Sequence, residues 1–323
     1  MIFKQTSPIL RSHQIHPIFR DKYIIGGYRK PGMTAAQCVK SMCQINNETV
    51  NFWTHMIPFI YFTIRFYAIS KQYDLINDPH YWPLLCYFIG GNYPLFSCIA
   101  HAFNSISKSA RDICFFLDYA GISLYSFTCA IAYFYYLRPL TFITMDWYIY
   151  ISSIFAICCC LTSCISRVYV NSSRPYLYRT IVYALQWLYV NSMLTYRIVS
   201  CGHPDNCPLQ SDYYHLMQFA MTMIVTFFMT SKFPERVWPQ RFDICGQSHH
   251  WFHIFVCLAH DYQLDGILID IQQRQHVIRL IQPTYFSTFG ILFIVLTSNT
   301  LIFLYFSYLV VQKSSHDKQE KST

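Results

Sequence analysis

Eight runs of mostly apolar residues dominate the chain, at 52–70, 81–103, 115–136, 146–166, 178–196, 213–230, 250–270 and 285–311. A helix rises about 1.5 Å per residue, so about 20 such residues cross the roughly 30 Å hydrocarbon core of a bilayer. Inside hydrocarbon every backbone N–H and C=O must find a partner within the protein, which leaves only helices and closed barrels. No run alternates polar with apolar residues as a barrel strand would. The expected fold is therefore all-α: an integral membrane bundle of seven core transmembrane helices plus an eighth, C-terminal helix. The seventh run is the least apolar, because it carries His260, Asp261 and Asp265.

Composition supports this fold. Hydrophobic residues make up 54% of the 323 and charged ones only 12%, against roughly 25% charged in soluble domains. A soluble chain of this length could not cover so much apolar surface, whereas lipid solvates it. The formal net charge of +8 sits in short loops between apolar runs, which argues against a nucleic-acid partner. Residues 1–23 are basic and lack the apolar core of a cleaved signal, so the first span is expected to direct its own insertion. Most of the 14 cysteines lie in apolar runs, where a thiol acts as a small hydrophobe. Cys201 and Cys207 instead flank a polar loop, as a disulfide if that loop meets an oxidising compartment or as two thiols.

Lys and Arg in the loops set the expected orientation. With the N-terminus in the cytoplasm and eight crossings, eighteen of them fall on the inner side and five on the outer, with Arg65 inside the first span. Both termini are then cytoplasmic, the Cys201–Cys207 loop faces outward, and the sequons at Asn47 and Asn171 stay inside. The expected organisation is a cytoplasmic segment over 1–51, a seven-helix core with a metal site over 52–270, and a loop with the eighth span over 271–311. A polar tail follows over 312–323.

Ionisable residues inside spans are costly and mark functional sites by default. Three places concentrate them. The second span ends with Ser97 and His101 one helical turn apart, and the third opens with Asp118. The seventh opens with His249 and His253, which share a helix face at i, i+4 spacing. All three places fall at the cytoplasmic ends of their helices in this orientation. Three imidazoles and a water match the open tetrahedral site of a catalytic zinc ion. A nearby carboxylate could orient or deprotonate that water, and a serine could hydrogen-bond it or a substrate oxygen. The bland alternative is that an intramembrane histidine packs and hydrogen-bonds without metal. His250 and His260 are read as pointing away from the face of the pair, and His55 as interfacial. Asp261, Asp265 and Asp270 are read as lining the polar side of the seventh span.

These residues and their surroundings resemble the progestin and adipoQ receptor family. Gly27-Tyr28-Arg29 precedes Asn47-Glu48-Thr49-Val50-Asn51-Phe52-Trp53-Thr54-His55, which is similar to the family's N-E-T-x-N-x-W-T-H pattern. Ser97-x-x-x-His101 and Asp118 follow, then Phe233-Pro234-Glu235-Arg236-x-x-Pro239-x-x-Phe242-Asp243. Ser248-His249-His250-Trp251-Phe252-His253 is similar to the family's S-H-Q-x-x-H, with His250 in place of the usual Gln. Each motif is short, but four in this order are specific. The resemblance implies zinc ligands at His101, His249 and His253, with Ser97 and Asp118 beside the metal. The segment Ser107–Tyr119, the Tyr81-Trp82-Pro83-Leu84 phrase and the eighth apolar run resemble the membrane progestin receptor branch, the gamma type in particular.

The resemblance implies a plasma-membrane, lipid-binding receptor for a progestin such as progesterone, with rapid non-nuclear signal transduction through a heterotrimeric G protein. The alternative is a zinc-dependent intramembrane hydrolase of a lipid amide such as ceramide. In that case Asp118 acts as general base and Ser97 assists. In a third reading, zinc only staples the second and seventh spans. Aromatic and small-residue faces occur on several helices and single out no oligomeric interface.

Overall fold

The computed structural model describes residues 9–142, 145–169, 175–200 and 210–320; the Cys201–Cys207 loop and Asn171 lie outside them. The described residues are helical apart from turns, loops and one isolated antiparallel bridge, Leu10 to Tyr28. A short helix α1 (Ala35–Ser41) precedes α2 (Thr49–Gln72), the first long helix. The second span is broken into α3 (Trp82–Gly90) and α4 (Tyr93–Phe103). Next come α5 (Lys108–Tyr136), α6 (Trp147–Val168), and the pair α7 (Pro175–Val190) and α8 (Ser192–Val199). The long helices α9 (Gln210–Ser231) and α10 (Ser248–Gln273) follow. After α11 (Gln275–Ile278), a π-helical turn at Phe286–Gly290 leads into α12 (Ile291–Glu320).

Each of the eight apolar runs thus becomes a helix or a pair of helices. Among the described residues, four segments are long and apolar enough to cross a membrane by length and composition alone: Pro79–Phe103, Lys108–Tyr136, Trp147–Val168 and Phe286–Ser315. The remaining long helices carry polar residues that meet inside the bundle. The molecule is an integral membrane helical bundle.

At the centre stands α5, which packs against α3, α4, α6 and α12. Its second half, Phe127–Leu137, is buried all round, as expected of a helix apolar on every face. Small residues bring its neighbours close, as at other interfaces between membrane helices. A Cβ on Gly121 would lie 2.3 Å from a ring carbon of Phe96. One on Gly90 would lie 2.0 Å from Thr128 Oγ1 and 2.9 Å from that residue's Cβ. Gly90→Ala is therefore expected to force α3 and α5 apart and cost roughly 1–3 kcal/mol. A lower thermal midpoint in detergent would show this, and an unchanged midpoint would refute the close approach.

The break between α3 and α4 has a local cause. Pro94 cannot donate a backbone hydrogen bond, and Asn92 satisfies freed carbonyls by donating from Nδ2 to Phe88 O (2.8 Å) and Ile89 O (3.2 Å). Asn191 does the same between α7 and α8, donating to Trp187 O at 2.8 Å.

Polar residues of the seventh span staple it to its neighbours. Asp261 and Asp265, one turn apart on α10, both pair with Arg65 of α2, at 3.0 and 2.6 Å. Nearer the far end of α10, Asp270 meets Arg197 of α8 and His215 Nε2 of α9, each at 2.8 Å, and all three side chains are fully buried. Ser211 Oγ donates to the same carboxylate at 2.8 Å. These aspartates do not line a polar face: each is paired across helices.

Candidate metal centre

Three histidines meet at the end of the bundle where α2 and α10 begin and α4 finishes. Ligand-capable ring nitrogens of His101, His249 and His253 all lie within 4.8 Å of one another. Helix pitch explains two of them: His249 and His253 sit one turn apart at the start of α10. His101 comes from the last turn of α4, which packs with α10 around α2.

Hydrogen bonds set the tautomers. Nδ1 of His253 lies 3.1 Å from the carbonyl of Asn51 and 3.0 Å from Thr54 Oγ1. A carbonyl only accepts, so Nδ1 carries the proton and Nε2 keeps its lone pair. Nδ1 of His101 lies 2.7 Å from Glu48 Oε2; a carboxylate there likewise leaves Nε2 of His101 as a lone pair. This Nε2 is 3.3 Å from Nε2 of His249. Two nitrogens bound at about 2.0–2.1 Å to a tetrahedral zinc ion stand about 3.3–3.4 Å apart. A proton on His249 could serve only one neighbouring lone pair, whereas a dication serves all three. The residues therefore fit a zinc ion.

Asp118 is buried, and its Oδ1 has no hydrogen-bond partner among the described residues. It lies one turn beyond Phe115, whose ring meets that of His101 edge-on at 6.3 Å. Ser97, one turn before His101 on α4, is 2% exposed. His250 is engaged elsewhere: Gly246 N donates to its Nδ1 at 3.0 Å, and Gln247 Nε2 lies 3.1 Å from its Nε2.

One histidine departs from the sequence expectation, and another gains a definite partner. His55 is buried, with its ring stacked 3.7 Å from that of His253. His260 does not point away from the pair. Seven residues after His253 the helix returns to nearly the same angle, and His260 is buried against Phe62, Tyr93 and Tyr125.

The sequence marks Glu48 only as a motif letter, yet it is a hub of hydrogen bonds beside the histidine cluster. Oε2 also accepts from Asn51 Nδ2 at 3.0 Å, and Oε1 accepts from Asn104 Nδ2 at 2.7 Å. Burial opposes its ionisation. The hydrogen bond from His101, with the charges of Arg29 and Arg111, holds the carboxyl well below its ordinary range. Carboxylates behind ligating histidines fix ring orientation and raise ligand basicity. The usable signal was a carboxylate one turn before Asn51 and two turns before His55, at the mouth of a span.

The other motifs hold this arrangement together. Glu235 caps α10, accepting from Ser248 N at 2.7 Å and from Ser248 Oγ; an anion there also opposes the positive end of the helix dipole. Asp243 accepts from the backbone N–H of Ile25 (3.2 Å) and Gly26 (2.6 Å). Gly27 has φ +84°, and a Cβ on it would lie 2.5 Å from Ile244 Cδ1, so glycine is needed on both counts.

Comparison with known proteins agrees with this picture. Residues 43–264 match the family described as haemolysin-III related. The chain is 33% identical to human membrane progestin receptor gamma over 318 residues, covering 95% of this chain and 96% of that one. It is 35% identical to human membrane progestin receptor delta over 287 residues, covering 85% and 82%. Zebrafish (Danio rerio) membrane progestin receptor gamma-B is 31% identical over 292 residues, 83% of each chain. With a family match across most of the helical core and relatives of this identity along nearly its whole length, the chain belongs to the haemolysin-III-related, progestin and adipoQ receptor family.

Proposed function

We propose that the protein is a plasma-membrane receptor for a progestin, with a zinc ion held by His101, His249 and His253. The observation that carries the receptor reading is its likeness, over almost the full length of both chains, to a protein named membrane progestin receptor gamma. A rigid apolar steroid suits an aromatic-rich helical interior, and 19% of the residues are aromatic. The loop charges support cytoplasmic termini and place the histidine cluster at the inner face, where a heterotrimeric G protein could take up the signal. Membranes of cells expressing the chain should bind labelled progesterone saturably, above control membranes. Binding equal to control membranes would refute the reading.

A second reading has its own support in Asp118, a buried carboxylate with an oxygen that accepts no hydrogen bond among the described residues. A bound zinc ion would supply Lewis-acid polarisation of a carbonyl. In that reading Asp118 Oδ1 accepts the proton of an attacking water, and Ser97 orients the lipid amide. Purified protein should then release fatty acid from ceramide, and Asp118→Asn should slow release at least about 100-fold. Folded, zinc-loaded protein that releases none would leave the receptor reading alone.

A further inference from the structure

Arg29 lies outside every span, yet it is buried and closes a ring of hydrogen bonds that includes a metal ligand. Its Nη1 donates to Ser41 Oγ (3.0 Å) and Ala102 O (2.7 Å). Its Nη2 donates to His101 O (2.6 Å) and Asn104 Oδ1 (2.7 Å). These carbonyls belong to the last turn of α4, where helix carbonyls lack intrahelical partners and a cation is favoured. Asn104 passes the contact on to Glu48 Oε1, and Glu48 Oε2 meets His101 Nδ1. The ring therefore runs from Arg29 through Asn104 and Glu48 to the imidazole of His101, and back through that residue's own carbonyl.

Its members come from three elements: the segment before α2, the residue that opens α2, and the end of α4. The same segment rests on this end of the bundle elsewhere. Gly32 N donates to Ser105 O at 3.0 Å, and Asn47 N donates to Gly27 O at 2.8 Å. A cation on Nε2 of His101 makes its Nδ1–H a stronger donor to Glu48. That tightens Glu48 and Asn104, and through them the seat of Arg29. Coupling of binding free energies is reciprocal, so a docked Arg29 must equally favour the cation.

From this we propose that metal binding at His101 and docking of residues 24–34 form one linked equilibrium, relayed by the positioning residues Glu48 and Arg29. The proposal rests on the zinc reading above. It gives the centre a means of altering the non-spanning surface beside it, where a soluble partner can meet the protein.

The test uses the full chain in detergent or nanodiscs. Hydrogen exchange of the amides of residues 24–34 is followed with zinc bound and after removal by a chelator. Zinc affinity is measured by chelator competition for the wild type, Arg29→Ala, Glu48→Gln and, as a control, Thr300→Ala, whose hydroxyl donates to Leu296 O on the exposed side of α12. Zinc removal should speed exchange in 24–34 by roughly 5–150-fold, with amides in the middle of α5 unchanged. Glu48→Gln and Arg29→Ala should each weaken zinc binding about 10–100-fold, and Thr300→Ala should not. Equal exchange with and without zinc in the wild type, which involves no variant that could misfold, would overturn the coupling. So would wild-type affinity in Arg29→Ala. A wild type that binds no zinc at all would instead overturn the metal reading beneath it.

Discussion

Purified His253→Ala protein is expected to hold zinc only at background level, against about one ion per chain in the wild type. Each of the three imidazoles would fill one position of a tetrahedral shell. Removing His253 leaves His101 and His249, a pair whose Nε2 atoms lie 3.3 Å apart and could satisfy each other with a single hydrogen bond. His250→Ala is the matched control, because its ring nitrogens serve Gly246 and Gln247 rather than the cluster. That variant should keep its zinc while losing some stability at the start of α10. Metal analysis by mass spectrometry decides the matter. Equal zinc in His253→Ala and wild type would sink the assignment, and so would loss of zinc in His250→Ala alone.

Arg197→Ala is expected to be the most destabilising single change away from the centre, by roughly 3–5 kcal/mol. Arg197 is fully buried and bonds Asp270 and Asp212, each at 2.8 Å. Without it the Asp270 carboxylate, also fully buried, keeps Ser211 and His215 as hydrogen-bond partners among the described residues, with the charge of Arg274 nearby. An uncompensated charge in a low-dielectric interior costs far more than the pair contributes net. The double variant Arg197→Met, Asp270→Leu should therefore lose markedly less than the single one, and the shortfall measures the coupling. Reversible denaturation in mixed micelles would report both. A loss below about 1 kcal/mol for Arg197→Ala, the size of an ordinary substitution, would mean that the network is not the staple it resembles.

Much of the candidate site was legible before any coordinates. His249 and His253 declare a shared face by spacing alone, and Ser97 with His101 do the same, because helix pitch is a local property. Hydropathy and loop charge gave the expectation that Asp118 lies at the same membrane depth. His260 was set off the functional face although helix pitch alone returns it to the angle of His253, so that miss was one of periodicity. The others were contacts: a residue's depth and angle on one helix do not say which neighbouring helix it meets. Glu48 stayed unassigned because its partner His101 lies 53 residues away, and nothing in a window of sequence joins them. Asp261 and Asp265 looked like a solvated stripe, yet their counter-ion Arg65 stands 196 and 200 residues earlier.

What the sequence determined by itself is the helical bundle, its membrane setting and the kinds of ligand it offers. Those follow from chain-local physics: a run of apolar residues, the need to satisfy every backbone hydrogen bond in lipid, and the 3.6-residue turn. Only the tertiary structure decided which buried polar groups meet. Close approach at Gly90 and Gly121 sets how α3 and α4 lie on α5. The capping of α10 by Glu235 sets where His249 and His253 begin. The seat of Arg29 on the end of α4 brings the segment before the first span to the ligands. Each is a contact between distant parts of the chain, and its geometry depends on packing that no single segment encodes.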